Sequence, residues 1–146
     1  MPEKAKVLFL CTGNSCRSQM AEAWVRHLKN DELAPYSAGV KPKGVDPRAV
    51  KAMTEAGIDI SGQTSKDVDS LGDLVFDYVV TLCDNARESC PYFPAKTRVM
   101  HQGFDDPPQL AEDSKNEEEA MGHYRRVRDE IKAFVESLPD LLRENK

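Results

Sequence analysis

The sequence predicts an α/β fold: one domain, with a four-stranded parallel sheet covered by helices on both faces. Three observations lead there. Short apolar or β-branched runs alternate with stretches of helical periodicity along the chain. Three of those runs end at polar turns that begin at Cys11, Cys83 and Gly103. The 146 residues suit a single domain, and the chain carries no internal repeat, low-complexity segment or linker.

The elements follow in order. Val7-Leu8-Phe9-Leu10 is an unbroken apolar run, as expected of a strand buried on both faces, and it ends at Cys11. From Arg17 onward, Met20, Trp24 and Leu28 recur at i, i+4 and i+8 with Ala21 and Val25 beside them, which predicts an amphipathic helix. A second strand begins near Leu33 and ends at Tyr36-Ser37-Ala38-Gly39. Asp46-Pro47 reads as a helix start, with Asp at the cap and Pro at the first helical position. Val50, Met53 and Ala56 form the face of that helix and Gly57 ends it. Residues 67–72 predict a short helix. Tyr78-Val79-Val80 marks a third strand that runs to Leu82 and ends at Cys83. Arg98-Val99-Met100 is the fourth, followed by Gly103-Phe104-Asp105-Asp106-Pro107, read as a loop. The last helix is expected over about residues 116–138, with Met121, Tyr124, Val127, Ile131, Phe134 and Leu138 as its buried stripe. In such folds the carboxyl ends of the strands form the ligand crevice, so the turns at Cys11, Cys83 and Gly103 are predicted to meet there.

Composition narrows the function. The formal net charge is -5 and no polybasic run is present, which argues against a nucleic-acid partner. Any anion site must therefore be built locally, from backbone donors and one or two cations. The N-terminus is polar and no apolar run approaches membrane length, so a cytoplasmic protein without a membrane partner is expected. A monomer is expected as well. Four cysteines in a reducing compartment point to reactive, metal-binding or buried thiols rather than permanent disulfides.

The sharpest signal is Cys11-Thr12-Gly13-Asn14-Ser15-Cys16-Arg17-Ser18, set between a strand and a helix. Five residues between Cys and Arg let the backbone curl around one tetrahedral anion. Gly13 permits unusual dihedrals and Asn14 tolerates the left-handed region. The loop N–H groups then point inward, assisted by the helix N-terminus. Arg17 offers a planar fork to two oxygens. The same positive environment favours a thiolate at Cys11, and Ser18 can donate to its sulfur. Thr12 to Ser18 thus form the expected substrate-binding loop, with Cys11 as nucleophile. Asp106-Pro107 supplies a carboxyl near the crevice that can protonate a departing oxygen, with Asp105 as the alternative.

Residues 10–22, Leu-Cys-Thr-Gly-Asn-Ser-Cys-Arg-Ser-Gln-Met-Ala-Glu, resemble the thioredoxin-coupled arsenate reductases of the low-molecular-weight tyrosine phosphatase superfamily. So do Tyr36-Ser37-Ala38-Gly39, Val79-Val80-Thr81-Leu82-Cys83 and Gly103-Phe104-Asp105-Asp106-Pro107. The resemblance covers nearly the whole chain. It implies the four-stranded parallel sheet, Cys11 as nucleophile, Arg17 as anion binder and Asp106 as general acid. It also implies Cys83 and Cys90 as a redox pair, with Cys16 outside the relay. No cofactor and no metal are expected.

The extra thiols separate two reactions. A phosphatase needs only nucleophile, Arg and acid, because water hydrolyses its covalent intermediate. Arsenate reduction needs two electrons. A second thiol must attack the Cys11 sulfur, releasing arsenite and leaving a disulfide, and a third can carry that disulfide to an external reductant. The resemblance implies that Cys83 and Cys90 fill these places, through a Cys11–Cys83 and then a Cys83–Cys90 disulfide that thioredoxin reduces. The segment from Asp84 to Ser89 predicts a short helix capped by Asp84. Seven helical steps of about 1.5 Å would hold Cys83 and Cys90 about 10 Å apart. A disulfide needs Cα atoms within about 7 Å, so a helical segment must loop out on oxidation.

Two other readings compete. A tyrosine phosphatase of this superfamily usually carries aromatic residues just after the Asp-Pro acid, whereas Pro107 is followed here by Pro108 and Gln109. A thiol-based metal or arsenite binding module lacks C-x2-C or His-rich spacing, and His27, His101 and His123 read as surface or packing residues. Some arsenate reductases of the superfamily hold potassium behind the loop. The resemblance matches its ligands to Asn14, Glu22, Ser37 and Thr64, but Lys66 stands where an Asp is expected. A charged lysine cannot ligate a cation, so Lys66 either takes the place of the ion with its ammonium or points into solvent.

Overall fold

Val7, Leu8, Phe9 and Leu10 are all fully buried, so strand β1 (Ala5–Cys11) is covered on both faces, as its unbroken apolar run requires. The computed structural model describes residues 4–72, 74–83 and 97–144. β1 lies in the middle of a parallel sheet. On one side it pairs with β2 (Leu33–Gly39), with Cys11 opposite Gly39. On the other it pairs with β3 (Tyr78–Thr81), whose own outer neighbour is β4 (Arg98–His101). The order is β2-β1-β3-β4. The chain first steps outward from β1 to β2, then crosses back to β3. The reversal falls between β1 and β3, so the crevice opens between their carboxyl ends, at Cys11 and just beyond Thr81. Val79 and Val80 of β3 are fully buried too, while Val99 on the edge strand β4 is half-exposed.

Helix α1 (Arg17–Leu28) packs on β1, β2 and the long helix α4 (Glu117–Glu144). The stripe of α4 is as predicted, since Met121, Tyr124, Val127, Ile131, Phe134 and Leu138 are all buried. Helix α2 (Pro47–Glu55) starts as the Asp46-Pro47 pair predicts, with the Asp46 carboxylate accepting the Arg48 N–H at 2.9 Å. It closes through Gly57, whose φ of 87° allows Gly57 and Ile58 to donate back to Thr54 and Met53.

The short helix expected over residues 67–72 is present as a 3-10 turn, Val68–Leu71, capped by Asp67. Two features differ from expectation. Gly103 to Asp106 is a loop as read, but a short helix, α3 (Pro107–Ala111), packed on α4, follows it. And α4 continues past Leu138 with Pro139 inside it. Leu142 is buried and extends the stripe by one more turn. A buried leucine contributes roughly 1.5–3 kcal/mol, comparable with the roughly 3 kcal/mol that an interior proline costs. The helix expected over 84–89 lies outside the described residues. Among the described residues, no helix is long and apolar enough to cross a membrane.

Candidate active site

β1 delivers Cys11 to the crevice, and the chain turns sharply into α1. Two backbone features permit the turn. Asn14 takes φ 47°, the left-handed region in which asparagine is tolerated. Gly39, at the end of β2, lets the loop lie directly on the strand: a Cβ there would stand 2.8 Å from the Thr12 carbonyl oxygen and 2.9 Å from the Asn14 nitrogen. Asn14 is fully buried and acts as an internal brace. Its Oδ1 accepts the Lys66 N–H at 2.8 Å, and its Nδ2 donates to Ser18 Oγ at 2.8 Å. Ser18 Oγ lies 3.2 Å from Cys11 Sγ. Because that oxygen accepts from Asn14, its proton is available to the sulfur.

The loop carbonyls are turned outward and held there. Thr12 O accepts from the Lys41 N–H at 2.8 Å, and Gly13 O from the Lys43 N–H at 2.9 Å and Ser65 Oγ at 3.0 Å. Asn14 O accepts from Gln19 Nε2 and Ser15 O from the Asp46 N–H, both at 2.9 Å. With the carbonyls fixed outward, the N–H groups face in. Among the described residues, the N–H groups of Gly13, Asn14, Ser15 and Cys16 donate to no protein acceptor. Such an arrangement can cradle an anion.

Arg17 closes the cradle. It is buried, with Nη1 donating to Phe104 O at 3.0 Å and Nη2 3.6 Å from Asp106 Oδ1. The loop after β4 is held in reach by Phe104, whose ring packs edge-on against Phe134 of α4. Asp106 begins α3 but its side chain makes no capping hydrogen bond, unlike Asp46 at the start of α2. Its carboxylate lines a pocket of about 190 Å³ together with Cys11, Gly13, Arg17, Lys43 and Pro108. Asp105, the alternative acid, is more exposed and pairs with Arg126 of α4 at 2.9 Å. Both line the wider part of the crevice, but only Asp106 lines the pocket that holds Cys11.

Cys83 follows β3 and is buried. Its Sγ lies 3.1 Å from Thr12 Oγ1, so it adjoins the residue next to Cys11. It lines a second, wider pocket of about 520 Å³, which shares Thr12, Arg17 and Asp106 with the first. Cys16 also faces the smaller pocket, but burial, followed by the charge of Asp46, pushes its thiol well above the usual range. It therefore stays protonated. Cys90 lies outside the described residues. Behind the loop, Glu22 is buried and accepts from Ser37 Oγ and Arg26 Nη2, both at 2.6 Å. Lys66 Nζ stands 3.9 Å from Glu22 Oε1 and donates to Thr64 O at 2.7 Å.

Six contributors were not assigned to the site from sequence: Gln19, Lys41, Lys43, Asp46, Ser65 and Tyr124. Tyr124 donates to Asp46 Oδ2 at 2.5 Å, tying α4 to the segment that holds Ser15. Burial and that carboxylate push its phenol up. Lys43 carried a readable signal, because it follows the carboxyl end of β2.

Residues 6–146 match the family model described as low molecular weight phosphotyrosine protein phosphatase. An arsenate reductase from Bacillus subtilis (strain 168) is 50% identical over 141 residues, covering 92% of this chain and 98% of its own length. Among solved structures, an arsenate reductase in the phosphate binding state superposes with a TM-score of 0.74 at 31% identity, covering 97% of this chain and 99% of its own. An arsenate reductase in the oxidized state gives a TM-score of 0.75 at 32% identity, covering 94% and 98%.

Proposed function

From the premise that this chain belongs to the low molecular weight phosphotyrosine protein phosphatase family, we propose that it is an arsenate reductase working by a three-thiol relay. The contact that carries the reading is Cys83 against Thr12, because it brings a thiol from the end of a second strand to the loop residue that follows Cys11, and hydrolysis needs no such thiol. The cradle of Thr12, Gly13, Asn14, Ser15, Cys16, Arg17 and Ser18 takes arsenate. The Cys11 thiolate attacks arsenic, and Asp106 gives a proton to the departing oxygen, which leaves as water. Cys83 then attacks Cys11 Sγ. The S–As bond breaks, its electron pair stays on arsenic, and arsenite leaves a Cys11–Cys83 disulfide behind. Cys90 attacks Cys83, frees Cys11 and forms the Cys83–Cys90 disulfide, which thioredoxin reduces. The enzyme is read as a cytoplasmic, single-domain monomer that needs no cofactor. Lys66 supports a built-in charge behind the loop: its ammonium already adjoins Glu22, where a bound cation would be repelled.

A phosphatase side activity fits the shared cradle. Pro108 on the pocket wall, where an aromatic slot would be expected, argues against phosphotyrosine as the main substrate. The test is turnover with arsenate, thioredoxin, thioredoxin reductase and NADPH, followed by NADPH consumption. Sustained turnover abolished by Cys11→Ser is expected. No arsenate turnover, together with fast hydrolysis of a phosphotyrosine peptide, would overturn the assignment.

A further inference from the structure

We propose that Lys43 is a second cation of the oxyanion pocket, and that it sets how strongly the pocket takes a doubly charged tetrahedral anion. The inference rests on reading the pocket as an oxyanion site. It starts from a shortage of positive charge. The chain is net -5, so it does not attract anions as a whole. Inside the pocket, Arg17 is already committed to Phe104 O and stands 3.6 Å from the Asp106 carboxylate. A Cys11 thiolate adds further negative charge. Arg17 alone leaves the site poorly matched to an incoming dianion.

Lys43 corrects this, and its position is fixed from two directions. Its backbone N–H donates to Gly13 O at 2.9 Å, which pins the residue to the loop. Its stem crosses Gly13: a Cβ on that glycine would meet Lys43 Cδ at 3.3 Å and Cγ at 3.4 Å. With no side chain at Gly13, the lysine stem lies close over the loop and lines the pocket with Cys11. Lys41, two residues earlier, also donates its N–H to the loop, yet its side chain does not line the pocket. Lys66 sits behind the loop near Glu22. Among the described residues Lys43 makes no ion pair.

A solvated lysine on the rim is a mobile point charge. It acts on capture rather than on the reacting atoms, so its effect belongs in KM and not in kcat. It also distinguishes substrate from product. Arsenate carries charge at neutral pH, whereas arsenous acid is uncharged and gains nothing from the ammonium. Lys43 therefore favours loading without slowing release.

The test uses two alkylating reagents of nearly the same shape, anionic iodoacetate and neutral iodoacetamide. The rate at Cys11 is followed by peptide mapping in the parent, Lys43→Met and Lys43→Arg. Loss of one nearby, partly solvated charge should slow iodoacetate at Cys11 by about 3- to 10-fold in Lys43→Met. Iodoacetamide should change less than about twofold, Lys43→Arg should restore the parent ratio, and added salt should shrink the difference. In turnover, Lys43→Met should raise KM for arsenate by at least that factor, because arsenate carries more charge than iodoacetate, with kcat nearly unchanged. An unchanged ratio of the two reagents, or an equal slowing of both, overturns the proposal. The alkylation ratio reads the pocket whether or not arsenate is the substrate, so a failure of the arsenate assay does not decide it.

Discussion

Replacing Gly39 by alanine is the most direct perturbation of the cradle, because it touches no functional side chain. The added Cβ would stand 2.8 Å from Thr12 O, 2.9 Å from Asn14 N and 3.0 Å from Gly13 C. All three are backbone atoms, so no rotamer can relieve the contact. Either the end of β2 or the loop must move by several tenths of an ångström. Overpacking of this kind costs about 1–3 kcal/mol. At this chain length each kcal/mol lowers the melting temperature by about 3–4 °C, so a fall of about 3–12 °C is expected by circular dichroism. The functional loss should be larger. The displaced atoms belong to Thr12, Gly13 and Asn14, and the N–H groups of the last two are among those turned toward the anion; misplacement by a fraction of an ångström to 1 Å costs about 10- to 100-fold in kcat/KM. Gly62→Ala is the matched control, because a Cβ there has nothing within 4 Å and Gly62 has no positive φ. A Gly39→Ala protein that melts within about 1 °C of the parent and keeps its kcat/KM would refute the argument that the strand end shapes the loop.

The thiols should fail at different stages. Cys83→Ser should bind and attack arsenate but release no arsenite, while Cys90→Ser should give about one turnover and trap a Cys11–Cys83 disulfide visible by peptide mapping; multiple turnovers with thioredoxin in Cys90→Ser would contradict the relay. Cys16→Ser should remain active, since its thiol is held protonated by burial. Asp106→Asn should slow arsenate attack by roughly 10²- to 10⁴-fold in stopped-flow, with simple oxyanion binding retained, whereas Asp105→Asn should lose only its surface pair with Arg126. Exchange of potassium for sodium at equal ionic strength should leave KM and melting temperature unchanged in the parent, and Lys66→Asp should introduce potassium dependence. Potassium activation of the parent would remove the role assigned to the Lys66 ammonium.

How far the sequence could be read is clearest at its two Asp-Pro pairs. Both Asp46-Pro47 and Asp106-Pro107 start helices. The first was legible because a 3.6-residue pattern follows it; the second was not, because α3 is a single turn whose partner is the distant α4. The dipeptide leaves the fate of the carboxylate undecided. Asp46 turns inward on its own helix, accepting from Arg48 and from Tyr124. Asp106 leaves its helix uncapped and stands near Arg17, 3.6 Å away. A cap is worth about 1 kcal/mol, and a carboxylate that gives it up is available for chemistry. The same division holds in the cradle. Cys11, Gly13, Arg17 and the strand before them are legible, because the pattern is local. The groups that turn its carbonyls outward are Lys41, Lys43, Asp46, Ser65 and Gln19. Four of the five come from the segments after β2, and no spacing along the chain announces which backbone atom meets which. Yet these contacts decide that the loop presents N–H groups, and not carbonyls, to an anion. A C-x5-R segment with its carbonyls unclaimed could turn either way. What converts the motif into a site is the strand beside it and the two lysines and the aspartate that follow.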